Sequence, residues 1–357
     1  MALDTQVAPK AAPEFLVERR GVQRALGAYV VAARFDPTGQ RAAFALGDGT
    51  LRLIRPQGPE EWAEIAVHDG AVLTLAPDCR AGGFLTGGDD ATLRRIGADG
   101  TVATLASHGM RWVEQVASFP GSGKGKADGL IAASIGKRVQ VFDEAGTLLK
   151  TLEHPSTVTG LAFDARGKRV IASHYNGASL WFVAAKTDSP RKLEWKGSHT
   201  GLAVHPEGDA VVTAMQENAL HGWRLSDGQH MRMSGYPSKT RSLSFSRGGK
   251  WLASSGADAI VLWPFFGGGP MGKAPTELAG GDGVLCTEVA CHPQQEMVAG
   301  GFADGLVVLA DIASSRILPV VPPNGVAIST LAWSPDGTRL AIGGEQGFAA
   351  LVDFTKQ

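Results

Sequence analysis

The chain has 357 residues, of which 44% are hydrophobic and 19% are charged, and its formal net charge is −1. This balance argues against a protein held on nucleic acid by phosphate neutralisation, and it offers no basic attraction to a membrane surface. The 47 glycines among short apolar runs indicate many tight turns between short strands. The three cysteines are too few and too scattered for a disulfide framework, which favours the reducing cytoplasm.

The N-terminal segment shows no targeting or membrane signal. Residues 1–20 contain no apolar stretch after a basic start, so no secretory signal is expected. No apolar run in the chain approaches the roughly 18 residues that a membrane span needs. We expect residues 1–13 to be a flexible tail and residues 14–357 to form a single domain.

A short pattern recurs eight times after this segment. Its clearest copy is LAWSPDGTRLAIGG, from Leu331 to Gly344, and an earlier copy reads LAFDARGKRVIAS, from Leu161 to Ser173. When the copies are aligned on one turn residue, successive anchors are 40, 43, 45, 41, 41, 46 and 42 residues apart. A fixed period of this length predicts a repeat architecture. The anchors are Pro37, Pro77, Pro120, Ala165, Pro206, Arg247, Pro293 and Pro335.

Each copy contains the same order of elements. An alternating strand leads to a Pro-Asp-Gly-like turn, and a second apolar strand follows. An Asp-Gly or Asn-Gly turn, such as Asp48-Gly49, then predicts a hairpin to a third strand, often with a large apolar residue at its end, such as Trp263. A more polar fourth strand completes the copy, for example over Trp62–Val67. Four antiparallel strands in about 42 residues are typical of one propeller blade.

From about Glu14 to its end the chain resembles the WD-repeat β-propellers, of the bacterial single-domain type, although no copy retains the Trp-Asp dipeptide. The resemblance and the eight copies predict an all-β, eight-bladed propeller with four antiparallel strands per blade. The last copy stops after its third strand, and Phe15–Arg19 is a candidate for the missing one. We therefore expect this N-terminal strand to pair in the last blade and close the ring, which leaves no free edge.

The resemblance also implies a structural role for several polar residues. In the family, a His before the first strand often bonds to a Ser or Thr on the second strand and to an Asp in the following turn. His68, Thr86 and Asp90 occupy these places in the second copy, and His154 has the His position in the fourth. Such loops lie around the rim, so their histidines are not expected to converge on a metal ion. Cys286 and Cys291 fall at core positions of a first strand. His199 fits either a core or a channel-facing position. Tyr236 replaces the His of the sixth copy.

We expect a non-catalytic scaffold that binds a protein or peptide partner on the loop-rich face, where loops enter the first strands and connect the second and third. The rigid ring presents aromatic and Arg side chains there, which suits partner recognition. Trp112 is alternatively packed between blades. The predicted partner-binding residues are Arg111, Trp112, His174, Tyr175, Gln216, Lys239, Arg241, Phe302 and Glu345.

Two other functions remain open from the sequence. One is a propeller enzyme, such as a lactonase-like hydrolase with a metal in the central channel, and the other is an accessory protein to a metal-handling or nucleotide-hydrolysing partner. The repeat register does not bring Asp, Glu, Asn or His side chains together on the axis, so neither a metal nor a cofactor is expected. Nucleic acid and membrane partners are not expected either, and the protein alone is expected to be a monomer.

Overall fold

The computed structural model describes residues 14–55, 57–58, 61–121, 129–281 and 283–356. Over these residues the chain is almost entirely β-structure, with one short helix, α1, at Leu16–Arg20. The predicted tail, residues 1–13, lies outside the described residues. The strands form seven hydrogen-bonded sheets in the described ranges, and five of these contain four antiparallel strands that follow one another in the chain.

These five sheets come from the first three and from the sixth and seventh copies of the pattern. In the first half of the chain the strands are β2 (Val30–Phe35), β3 (Ala42–Leu46), β4 (Thr50–Ile54), β5 (Trp62–Ala66), β6 (Val72–Pro77), β7 (Phe84–Gly88), β8 (Thr92–Ile96), β9 (Val102–Ser107), β10 (Gln115–Phe119), β11 (Leu130–Ile135), β12 (Arg138–Asp143) and β13 (Leu148–Glu153). In the second half they are β20 (Leu243–Phe245), β21 (Trp251–Ser254), β22 (Ile260–Pro264), β23 (Thr276–Leu278), β24 (Cys286–Cys291), β25 (Met297–Phe302), β26 (Val307–Asp311) and β27 (Ile317–Val321).

The fourth and fifth copies share a single six-stranded sheet. Tyr175 pairs with Ser198 between its two longest strands, so the connection between the copies stays extended instead of forming an irregular loop. The prediction of eight separate four-stranded blades is therefore wrong: with each hydrogen-bonded sheet counted as one blade, the propeller has seven. The strands of this sheet are β14 (Gly160–Phe163), β15 (Arg169–Phe182), β16 (Arg191–Val204), β17 (Ala210–Met215), β18 (Leu220–Arg224) and β19 (His230–Met233).

The closing sheet joins the two ends of the chain. Its strands are β1 (Gly21–Ala25), β28 (Ile328–Trp333), β29 (Arg339–Gly344) and β30 (Phe348–Asp353). β1 pairs antiparallel with β30, from Gly21 opposite Val352 to Ala25 opposite Phe348. The N-terminus thus supplies the closing strand, but the predicted segment, Phe15–Arg19, is wrong. It lies mostly in α1, which buries Val17 to 1% exposure against the closing sheet and β27.

The hydrophobic core lies between adjacent sheets. Each core cluster combines apolar side chains from the facing sides of neighbouring sheets. At the centre, side-chain hydroxyls on the innermost strands, or directly before them, join one sheet to the next. Thr287 Oγ1 donates to the Ile328 carbonyl at 2.7 Å, and Ser329 Oγ donates to the Val30 carbonyl at 2.7 Å. Ser242 Oγ similarly donates to the Val289 carbonyl at 3.1 Å. These bonds hold the inner strands around a channel with a volume of about 680 Å³.

Candidate functional site

The loop face comprises the loops that enter the first strands and the turns between the second and third strands. The structure separates the nine predicted binding residues by their exposure. Trp112 and Tyr175 are 53% and 58% exposed, so Trp112 does not pack between blades. Lys239 and Glu345 are half-buried, and His174 and Phe302 are buried. The remaining predicted residues are exposed, namely Arg111, Gln216 and Arg241.

The buried positions of two of these residues have structural causes. His174 hydrogen-bonds through Nε2 to Ser179 Oγ and through Nδ1 to the Tyr175 carbonyl, both at 2.9 Å. Phe302 ends β25 opposite Cys286 and packs in the core between two sheets. Phe302 therefore shapes the loop face from below, whereas His174 lines the cavity beside Tyr175.

One group of predicted residues meets near the mouth of the channel. Arg241 Nη1 lies 3.6 Å from Glu345 Oε1, which joins the loops of two sheets that are not neighbours in sequence. Tyr29, which is 43% exposed, lies close enough to feel both charges. Burial and the Glu345 carboxylate raise the pKa of Tyr29, while Arg241 lowers it, so the phenol is neutral near pH 7. Tyr29 was not among the predicted residues, although it precedes its anchor by the same number of residues as Trp112.

A second group forms what we call the aromatic surface, defined as Met110, Arg111, Trp112 and Tyr175. Met110 is 97% exposed and was not predicted, although it directly precedes Arg111 and Trp112. Between the two ends of this surface, Arg138 Nε lies 3.7 Å from Glu153 Oε1 on neighbouring strands. Both ends therefore border the same ion pair.

Two cavities open beside that ion pair. The first, of about 180 Å³, is lined by Arg111 and His108 from the loop before β10 and by Ile135, Arg138 and Gln140 from β11 and β12. The second, of about 460 Å³, lies beside Tyr175 and is lined in part by Glu153, Ser156 and Leu193. The Tyr175 amide donates to Ser156 Oγ at 2.9 Å, which fixes the backbone beneath the exposed ring. The aromatic surface is thus uneven and polar between its apolar residues, as docking surfaces commonly are.

Comparison with protein families supports the interpretation of the repeats. Residues 289–357 match the model of the anaphase-promoting complex subunit 4 WD40 domain, and residues 229–263 match that of the WD domain, G-beta repeat. These two matches, together with the relatives below, support a WD-repeat β-propeller.

Several WD-repeat relatives are much longer than this chain. Telomerase protein component 1 of Mus musculus is 25% identical over 351 residues, which cover 94% of this chain and 12% of the relative. Autophagy-related protein 16 of Arabidopsis thaliana is 21% identical over 308 residues, 84% of this chain and 59% of that protein. The crystal structure of the computationally designed Ika8 protein superposes with a TM-score of 0.73 and 18% identity, covering 92% of this chain and 98% of the design. This likeness shows the fold alone.

The histidine network that the WD-repeat resemblance implies has a counterpart in the second copy. His68 Nε2 lies 2.9 Å from Thr86 Oγ1, and His68 Nδ1 lies 2.9 Å from Asp90 Oδ1. Burial lowers the pKa of His68, although Asp90 opposes this, so the imidazole is predominantly neutral near pH 7. These bonds fix the loop before β6 to the ends of β7 and β8.

Replacement of Thr86 tests the energetic role of this network. Thr86→Val keeps the side-chain shape but leaves the buried His68 Nε2 without its hydroxyl partner. The free energy of unfolding should therefore fall by about 1–3 kcal/mol. Urea unfolding followed by tryptophan fluorescence measures the change. The matched control is Thr101→Val in an exposed turn, where Thr101 bonds Asp99 and less than about 0.5 kcal/mol is expected. Equal effects of the two substitutions would show that the hydrogen bond between His68 and Thr86 does not stabilise the fold.

Other copies use different partners at this position. In the fourth copy, the Trp181 indole Nε1 donates to His154 Nε2 at 3.1 Å, and burial is the main reason that the pKa of His154 falls to about 4. In the sixth, Tyr236 replaces the histidine: its hydroxyl lies 2.6 Å from Ser254 Oγ and accepts from Trp263 Nε1 at 2.6 Å. The indole on the third strand thus donates a hydrogen bond in these copies, whereas the Asp90 carboxylate accepts one in the second copy.

His199 of the fifth copy and the two cysteines of the seventh copy are core residues. His199 is fully buried, with Nδ1 2.7 Å from Thr213 Oγ1 and Nε2 2.9 Å from the Trp195 carbonyl, so it does not face the channel. Cys286 is fully buried, and Cys291 is half-buried on the same strand. In the part of the chain that the structure describes, no three His, Cys, Asp or Glu side chains are placed to hold a metal ion. The described residues also include no helix suited to crossing a bilayer.

The channel wall contains one acidic side chain among the described residues that line it, Glu288, together with Arg34 and Arg241. Burial raises the pKa of Glu288 to about 8, although Ser242 and the two guanidinium groups oppose this. A carboxyl group whose pKa is higher in the folded than in the unfolded protein destabilises the fold progressively as pH rises between the two values. The carboxyl group of Glu288 therefore lowers the free energy of unfolding at neutral pH, and a neutral side chain of the same shape would avoid this loss.

The substitution Glu288→Gln should make the protein more stable at neutral pH. Because the unfolded carboxyl ionises near pH 4.5 and the folded one near 8, the advantage of Gln over Glu should be small below pH 4.5. It should grow by about 2 kcal/mol between pH 6 and pH 8, at up to roughly 1.4 kcal/mol per pH unit. Urea unfolding of both proteins across this range measures it. An advantage that stays constant with pH would show that the pKa of Glu288 is not raised.

Proposed function

We propose that this WD-repeat protein is a non-catalytic scaffold that binds a protein or peptide partner through the aromatic surface of its loop face. The observation that carries the proposal is that Trp112 and Tyr175 are both more than half exposed, where Tyr175 lines one cavity of that face and Arg111, next to Trp112, lines another. Names of matching proteins, such as telomerase protein component 1 and the anaphase-promoting complex subunit 4 domain, describe parts of assemblies. They support a role in binding other proteins and leave the partner open.

The physical argument concerns the type and setting of these side chains. Trp, Tyr and Arg are the residues that contribute most binding free energy in protein interfaces, particularly where pockets surround them. Arg111, Trp112 and Tyr175 supply all three types on rigid connections between strands. When a partner covers an apolar ring that was exposed to water, the free energy falls by about 25 cal/mol per Å² of apolar area buried. The same rings therefore favour complex formation over the free state.

The experiment removes the two rings and compares the captured proteins. Tagged wild-type protein and the Trp112→Ala/Tyr175→Ala variant are used for affinity capture from a native lysate with quantitative mass spectrometry. We expect at least one specific partner to fall by about tenfold or more with the variant, since loss of an interface hot spot costs about 2 kcal/mol or more.

A matched control distinguishes this surface from exposed aromatic area in general. Phe182→Ala removes a ring that is 54% exposed at the end of β15, away from the loop face, and capture should be unchanged. Thermal unfolding of each variant confirms that the fold persists. If the double variant captures the same proteins in the same amounts as wild type, the aromatic surface is not the binding site.

A further inference from the structure

The smaller cavity of the loop face has an unusual set of polar groups. It occupies about 180 Å³, several times the volume of one water molecule, and its five lining residues are His108, Arg111, Ile135, Arg138 and Gln140. Ile135 ends β11 and Arg138 begins β12, so the Gly136-Lys137 turn holds one side of the cavity rigidly. The loop before β10 supplies His108 and Arg111 on the other side, and the Arg111 amide donates to the His108 carbonyl.

The positive charge in this cavity is incompletely neutralised. The Arg111 side chain lies against Gly136 and forms no ion pair within the described ranges of the chain. Arg138 has one acidic neighbour, Glu153, at 3.7 Å, in an exposed pair that contributes little free energy. The five lining residues and Glu153 together carry a net charge of +1, with His108 counted as neutral.

A second, independent observation concerns His108. Its Nε2 atom is buried and has no hydrogen-bond partner, and burial together with Arg138 lowers the pKa of the imidazole. A buried polar atom without a partner costs about 1–3 kcal/mol, so a ligand that supplies a hydrogen bond to His108 Nε2 would remove this cost. The cavity therefore combines an unpaired guanidinium with an unsatisfied ring nitrogen.

We propose that this cavity binds a carboxylate of the partner, the side chain of an Asp or Glu residue next to an apolar residue that packs on Trp112. This proposal rests on the proposed function and specifies the chemistry of the partner. The planar guanidinium of Arg111 can bind a carboxylate through two parallel hydrogen bonds. A net charge of +1 matches one carboxylate better than a doubly charged phosphate, and the exposed ring of Trp112 follows Arg111 directly in the loop.

The probes are short peptides of defined charge. N-acetyl-glutamyl-leucine amide carries the proposed acidic and apolar pair, and N-acetyl-glutaminyl-leucine amide is its neutral counterpart. Each is titrated into the full-length protein while NMR follows the His108 imidazole and the Trp112 indole signals. We expect saturable binding of the acidic peptide, at least tenfold weaker binding of the neutral one, and a rise in the pKa of His108 only with the acidic peptide.

Two variants and one competing ion make the test decisive. Arg111→Gln should weaken the acidic peptide at least tenfold, whereas Arg166→Gln, an exposed arginine in the Asp164–Gly167 turn, should leave it unchanged. Equal binding of the two peptides, no binding, or equal effects of the two substitutions would overturn the proposal. Inorganic phosphate that binds more tightly than the acidic peptide would also overturn it and assign a phosphate site.

The capture experiment separates failure of this inference from failure of the proposed function. The Arg111→Gln variant is included beside the Trp112→Ala/Tyr175→Ala variant. Loss of a partner with both supports both proposals. Loss with the double aromatic variant alone keeps the aromatic surface as the docking site but rejects the carboxylate. No loss with either rejects the docking site itself.

Discussion

Removal of residues 1–25 should destabilise the ring more than any single substitution. This truncation deletes β1, which pairs with β30 over five residues, and α1, whose Val17 is 1% exposed in the core of the closing sheet. Burial of one Val side chain is worth about 1.5–3 kcal/mol, and each lost ladder hydrogen bond costs about 0.5–1.5 kcal/mol. We expect the free energy of unfolding to fall by at least about 4 kcal/mol.

Urea unfolding and size-exclusion chromatography together measure this effect. Loss of β1 also exposes the edge of β30, and an unpaired edge is a template for association, so we expect soluble aggregates. The matched control removes residues 1–13 only, which leaves α1 and β1 in place, and it should unfold like the untruncated chain. If the two truncated proteins were equally stable and monomeric, the closing strand would not seal the ring.

Breaking the buried ion pair between Asp78 and Arg95 should have the next largest effect. Arg95 Nε lies 2.6 Å from Asp78 Oδ2, and the side chains are 10% and 1% exposed, respectively. Arg95 Nη2 also donates to the Glu144 carbonyl of the adjacent sheet at 2.8 Å. Asp78→Ala leaves a buried guanidinium without its counter-charge, so we expect a loss of about 3–5 kcal/mol in the free energy of unfolding.

Two further proteins test this explanation. Glu14→Ala removes the partner of Arg19 in a pair whose side chains are 62% and 66% exposed, and it should cost less than about 1 kcal/mol. The double variant Asp78→Ala/Arg95→Met removes both charges and should be more stable than Asp78→Ala alone. A double variant no more stable than Asp78→Ala would mean that the unpaired guanidinium is not the cause of the loss.

The repeat period predicted most of the strand order but neither the number of sheets nor the closing segment. The pattern around Pro335 predicts a strand, a tight turn and a second strand, and the structure has β28 and β29 there. The merger of two copies depends on the pairing of Tyr175 with Ser198, which are distant in sequence, and no local signal specifies it. Phe15–Arg19 is apolar enough for a strand, but burial of Val17 in a single helical turn satisfies it equally well.

The loop face was less predictable than the strands. A fixed register assigns a residue to a loop but does not say whether a neighbouring sheet covers it. Phe302 is covered by the adjacent core, whereas Trp112 remains 53% exposed. Met110 and Tyr29 lie in the same kind of loop as Trp112, so an inspection of every entering loop for large apolar side chains would have found both.

The central claim, that a partner binds the aromatic surface, is most directly tested by hydrogen–deuterium exchange of the isolated complex. Once a captured partner is purified with the protein, exchange of the free and bound forms is compared by mass spectrometry. We predict that binding slows exchange in residues 108–113, 135–138, 153–156 and 174–176. Protection confined to the opposite face, in residues 144–147 and 165–168, with none in the first four segments, would contradict the claim.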